Sequence, residues 1–135
     1  MRLIVCLDDR NGMMFNGRRQ SQDKNLRKEM LLLTKCTQLW MNSYSASQFE
    51  SIPDYVTVRE DFLKSAPENV CCFVENEDIT RYLNKISSVV IYRWNRCYPS
   101  DQILPVDAVL TGRKLIGCRE FVGNSHEKIT EEVYA

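Results

Sequence analysis

Arginines and aromatic rings crowd one short stretch, Tyr92-Arg-Trp-Asn-Arg-Cys-Tyr98. A guanidinium forks onto carboxylate or phosphate oxygens and stacks on flat rings. Arg93, Trp94, Asn95 and Arg96 therefore read as binding residues for an anionic, nucleotide-like ligand. Arg18 and Arg19 form the second basic pair, and Asn42 follows the short apolar run Leu39-Trp-Met41. Single-stranded RNA is an alternative ligand, held by ring stacking and phosphate contact. In a second reading the rings pack inward and the arginines pair with Asp8, Asp9 or Asp101. In a third the stretch is a protein interface, that of a homodimer among the alternatives, because Trp, Tyr and Arg are favoured interface anchors.

The candidates for catalysis are fewer. His126 is the single histidine and lies between Ser125 and Glu127, which suggests general acid–base work. Sequence neighbours on a strand point to opposite faces, so a histidine satisfied by backbone in a hairpin is the plainer reading. Asp8 is the second candidate. With Asp9 and Asp101 it offers oxygens of the kind magnesium prefers, but adjacent carboxylates at a strand end also build turns and pair with cations such as Arg10. No metal and no cofactor is assigned. A zinc site needs several Cys or His ligands at short spacing, and the chain has no Cys-x-x-Cys. Cys97, among cations, is a minor candidate nucleophile.

These residues need a scaffold, and its pattern is regular. Arg2 to Leu7 reads as a buried strand, followed by turn chemistry at Asp8-Asp-Arg-Asn-Gly12 and a partly apolar loop to Gly17. Ser21 or Asp23 caps a helix whose Leu26, Met30 and Leu33 share one face, ending near Lys35. Strands follow at 38–41, 55–58, 70–74 and 88–92, separated by helical segments near 42–50, 61–66 and 78–85. This alternation predicts an α/β fold with a mainly parallel central sheet and flanking helices. After Asp101, Pro105 breaks the pattern, and two late strands at 114–117 and 130–134 predict an antiparallel finish.

Composition narrows the classes. At 135 residues the chain reads as a single domain, residues 1–135. Lys plus Arg and Asp plus Glu each number 18, so no global field recruits nucleic acid or an anionic membrane. No apolar run is long enough to span a bilayer. The apolar start is too brief for a secretory signal, and the cysteines lie largely in strand-like runs, so the expected setting is cytoplasmic with reduced thiols.

The order of elements, with Leu3-Ile-Val-Cys-Leu-Asp-Asp-Arg-Asn-Gly12 at one end and Glu120 to His126 and Thr130 to Tyr134 at the other, resembles the dihydrofolate reductase fold. That resemblance implies a pterin-binding carboxylate early in the first helix, for which Asp23 is the candidate. It also implies a Gly-Gly turn after the fifth strand and an arginine-bearing turn after the second, both for cofactor phosphates. Here those places hold Tyr92-Arg-Trp-Asn-Arg96 and Asn42-Ser-Tyr-Ser45, which argues against NADPH-dependent reduction. The wording Arg-Arg-Gln-Ser, Leu-Trp-Met-Asn, Tyr-Arg-Trp-Asn-Arg and Ser-His-Glu-Lys is also similar to small Firmicutes proteins that carry a ribonuclease Z label. One histidine cannot supply that enzyme's zinc cluster, so the label implies no nuclease activity here.

Overall fold

The computed structural model describes residues 1–135. In chain order the elements are β1 (Arg2–Leu7), β2 (Gly12–Phe15), β3 (Arg18–Arg19), α1 (Lys24–Thr34), β4 (Leu39–Met41), α2 (Ser43–Ala46), β5 (Val56–Val58), α3 (Phe62–Ser65) and β6 (Cys71–Phe73). A 3₁₀ helix (Ile79–Lys85) follows, then β7 (Ser88–Arg93), β8 (Gln102–Ile103), α4 (Val106–Leu110), β9 (Leu115–Phe121) and β10 (Ile129–Tyr134). Seven strands make the main sheet in the order β5-β4-β6-β1-β7-β10-β9. β1, β4, β5, β6 and β7 run parallel, and β10 is antiparallel to both its neighbours. The α/β fold with a mainly parallel sheet and an antiparallel finish is therefore what the chain adopts.

The side-chain alternation of the two central strands builds two cores. Leu3, Val5 and Leu7 of β1, with Val89 and Ile91 of β7, face Phe62, Leu63, Ile79, Leu104 and Val109. Ile4, with Val90 and Tyr92, faces Leu26 and Met30 of α1. Burial on both faces explains why these strands are continuous β-branched and leucine runs rather than alternating ones.

Three details differ from expectation. The supposed loop at Met13–Gly17 is a hairpin, β2 with β3, turning through Asn16 and Gly17 at φ of 52° and 72°. Two left-handed residues in succession match the twist of the flanking strands, which is why Asn-Gly occupies that turn. Pro105 does not only break the chain; it sits at the start of α4, where its fixed φ suits a first turn. The segment at 78–85 winds as 3₁₀ rather than α helix.

Tyr92 is fully buried, its ring edge-on to Phe121 at 6.2 Å, and its hydroxyl has no hydrogen-bond partner. A buried hydroxyl without a partner costs stability. Tyr92→Phe is expected to raise stability by about 1 kcal/mol in urea denaturation. A loss of that size would instead show that the hydroxyl is bonded in solution.

Candidate functional site

The N-cap of α1 is Asp23, only 2% exposed. One carboxylate oxygen accepts the amide N–H groups of Asn25, Leu26 and Asn124 at 2.9–3.1 Å. The other accepts the Ser125 amide at 2.8 Å and lies 3.0 Å from His126 Nδ1. Burial alone would raise this carboxyl's pKa. The hydrogen bonds from Asn124, His126, Ser125 and Leu26 outweigh that and hold it well below the usual carboxylate range. Gly123 lets the β9–β10 loop close over the carboxylate, since a Cβ there would lie 2.6 Å from Asp23 Oδ2 and from the His126 carbonyl oxygen.

His126 is 4% exposed, and its ring stacks on Trp94 with centroids 4.6 Å apart. An ionised Asp23 accepts the Nδ1 proton, which leaves the lone pair of a neutral ring on Nε2. Nε2 faces two hydroxyls, Ser21 Oγ at 3.1 Å and Tyr98 OH at 3.0 Å. The sequence did not single out this cluster. Ser21 and Asp23 read as helix caps, and Asp23 also as the carboxylate that the resemblance implies, but neither was linked to His126, about a hundred residues away.

Asp8 is fully buried and organises the loop after β1. Its oxygens accept from the amides of Arg10, Gly12 and Tyr98 and from Gln20 Nε2 at 2.8–3.1 Å. Burial again works against the charge, and these bonds lower the pKa despite it. With its lone pairs turned toward these donors, Asp8 has no oxygen left to offer a cation or a substrate proton. Asp101 Oδ2 accepts the Asn16 amide instead of joining it.

The basic residues separate into paired and unpaired. Arg93 lies 3.3 Å from Glu132 and donates to Asn11 Oδ1 and the Asp8 carbonyl. Arg19 pairs with Glu75 at 3.0 Å and sits over the Tyr44 ring at 4.3 Å. Trp94 is buried, and Asn95, at φ of 59°, donates to the Lys128 carbonyl and Thr130 Oγ1. Asn42 is buried as the cap of α2 and donates to Asn76. Arg18 and Arg96 are exposed, and neither side chain makes an ion pair or hydrogen bond to the protein.

Two clefts lie close to the His126 cluster, one reaching Tyr98 and the other reaching Trp94, on which His126 stacks. One, of about 310 Å³, is lined by Phe15, Asn16, Arg18, Arg19, Gln20, Tyr98 and Pro99. The other, of about 270 Å³, is lined by Trp94, Asn95, Arg96, Glu127 and Lys128. The structure thus brings Arg18 and Arg19 to Tyr98 and gathers Trp94, Asn95 and Arg96 next door. Arg93 and Asn42 line neither cleft. A groove of about 220 Å³ on α1 also carries Lys24, Arg27 and Lys28, but that is the solvent face of an amphipathic helix, where such residues are expected. The largest cavity, about 470 Å³, is lined by Glu77 and Asp78 and offers an anion no cation.

Among solved structures, the chain is similar to a dihydrofolate reductase from Enterococcus faecalis complexed with NADP(H) and RAB-propyl. The TM-score is 0.68 at 12% identity, over 98% of this chain and 94% of that one. The fold is dihydrofolate reductase-like. No family model matches the chain, and no curated protein does. The likeness to proteins labelled ribonuclease Z therefore gains no support. Within the reductase-like fold, Asp23 does hold the start of the first helix, but the loop from Asn124 to His126 encloses it. The turn after β7 carries Trp94, Asn95 and Arg96 with no glycine, and Trp94 is buried against His126. No helix is long and apolar enough to cross a membrane.

Because its folded-state pKa is depressed, Asp23 contributes stability above the unfolded carboxylate pKa of about 3.9 and loses it as pH falls through the folded value. Asp23→Asn is expected to lose about 3 kcal/mol at neutral pH and to show a shallower acid dependence than the parent. Denaturant titrations from pH 7 to pH 3 measure both.

Proposed function

We propose that the protein binds a small anionic ligand with a flat ring, of nucleotide-like chemistry, in the cleft between the β2–β3 hairpin and Tyr98. The observation that carries this reading is Arg18, an exposed guanidinium with no protein partner on the wall of a concave site. Neighbouring Arg19 is held by Glu75 and Tyr44, so it fixes the hairpin while Arg18 stays available. Phe15 is 46% exposed and Tyr98 half-buried, which leaves two rings against which a base can stack. Gln20 lines the same cleft, and its side-chain oxygen is buried without a donor. A ligand N–H that reached the cleft floor would satisfy it.

A thermal-shift titration with AMP and with inorganic phosphate tests the proposal, because a ligand that binds only the folded state raises the melting point. AMP at millimolar concentration is expected to raise it and phosphate to raise it less. Arg18→Ala should abolish both shifts with the unliganded melting point nearly unchanged, since exposed substitutions usually cost under about 0.5 kcal/mol. An unchanged shift in Arg18→Ala, or no shift with either compound, contradicts the reading. A short RNA oligomer that binds where AMP does not would identify a strand of nucleotides as the ligand.

A second reading rests on β9, which pairs only with β10 and leaves its other edge open. Leu115, Ile116 and, just beyond the strand, Val122 are 52–73% exposed there. An open apolar edge is a template for a further strand. A second copy fits it: antiparallel β9 pairing centred on Gly117 sets Lys114 opposite Glu120. Light scattering across a concentration series is expected to show a dimer that Ile116→Lys converts to monomer. A monomer at every concentration would exclude this reading.

A further inference from the structure

We propose that Ser21 is a catalytic nucleophile, with His126 as its general base and Asp23 as the residue that positions the base, and that the substrate class is an ester of a carboxylic acid. Three observations support this, and none depends on Arg18 holding an anion. The first is geometric. Ser21 Oγ lies 3.1 Å from His126 Nε2, and His126 Nδ1 lies 3.0 Å from Asp23 Oδ2. A hydroxyl, an imidazole and a carboxylate in one hydrogen-bonded line define this chemistry on unrelated folds by geometry and role rather than by sequence order.

The second is the environment. The carboxylate is buried and held ionised by four backbone amides from two different segments. It therefore accepts the Nδ1 proton and stabilises the imidazolium that forms when Nε2 takes the serine proton. Stacking on Trp94 fixes the plane of the ring. Ser21 is half-buried, whereas the other two are enclosed, so the nucleophile is the most exposed residue of the line.

The third concerns the charge that develops during attack. The backbone amides of Ser21 and Gln22 donate to no acceptor in the protein. In acyl-transfer sites the amides beside the nucleophile stabilise the oxyanion. Gln20, the residue before Ser21, lines the Arg18 cleft, as does Tyr98, whose hydroxyl meets the same Nε2 as Ser21 Oγ.

The steps balance. Ser21 Oγ bonds to the acyl carbon as its proton passes to His126 Nε2. The tetrahedral adduct collapses, the ester C–O bond breaks, and the departing alcohol takes that proton. Water, deprotonated by Nε2, then attacks the acyl carbon, and the proton returns to Ser21 Oγ as the carboxylic acid leaves. Tyr98 OH also faces Nε2 at 3.0 Å and competes with Ser21 for its lone pair. Tyr98→Phe removes this competitor.

The test is covalent labelling of the unaltered protein with a fluorophosphonate, followed by peptide mapping, so the result does not depend on a variant folding. The expected result is one adduct, on the peptide that carries Ser21. It should be absent in Ser21→Ala and lost when the protein is unfolded in urea. In Tyr98→Phe, which removes the competing hydroxyl, the labelling rate should rise above that of the parent. A working general base contributes about 100-fold or more, so hydrolysis of p-nitrophenyl acetate by the folded protein should exceed that by Ser21→Ala by a similar factor. No adduct, an adduct on Tyr98 or any other residue, or equal labelling of the unfolded chain overturns the proposal.

Discussion

A single buried anion ties the two ends of this fold together. Without hydrogen bonds, an ionised carboxylate away from water is prohibitively unstable. Asp23 survives because α1 presents amides from one side and the β9–β10 loop presents amides and an imidazole from the other. Neither segment alone completes the set. The position of α1 against the sheet, the path of the loop over Gly123 and the orientation of His126 all follow from meeting that one requirement. Trp94 then has a flat partner to pack on, and the turn after β7 closes.

Asp8 repeats the device at the end of β1. Its carboxylate gathers the start of the β2–β3 region, Gln20 and the Tyr98 amide. The two anions therefore hold opposite sides of the same wall, and Tyr98 bridges them, its backbone on Asp8 and its hydroxyl on His126. One cleft reaches this network at Gln20 and Tyr98, the other at Trp94. Arg18 and Arg96 stand outside the network and face solvent. The reductase-like frame thus carries its own polar network, in which the β9–β10 loop encloses Asp23 and Trp94 packs on His126.

The sheet was legible in the sequence because its strands are short apolar runs at regular spacing, as Leu3-Ile-Val and Val89-Val-Ile show. The β2–β3 hairpin was harder to read, since two Asn-Gly pairs lie five residues apart and only the second turns a hairpin. Arg18 and Arg93 look equivalent as letters in a basic cluster. They differ because Arg93 emerges beside Glu132 and Asn11, partners set by the β7–β10 register and the β1 loop. His126 showed the opposite problem. Its sequence neighbours Ser125 and Glu127 suggested acid–base work, while the side chains its ring nitrogens meet include Ser21, Asp23 and Tyr98, which only the fold brings within reach. Local pattern specifies elements, but polar networks with partners a hundred residues apart leave no periodic trace.

The placement of β1 sets the order in which the protein can take shape on the ribosome. β1 is made well before its neighbours in the sheet, β6 and β7. At about 5–20 residues per second, its apolar side chains wait several seconds for a partner strand to be synthesised. Until then the hairpin and α1 are the structures the nascent chain can form by itself, and α1 has a cap that lacks half its donors. Contacts this distant in sequence slow folding, because the closing loop must be ordered before any pairing rewards it. The nascent chain must therefore stay protected from association through most of its synthesis, and a chaperone that holds exposed β1 would act in that interval.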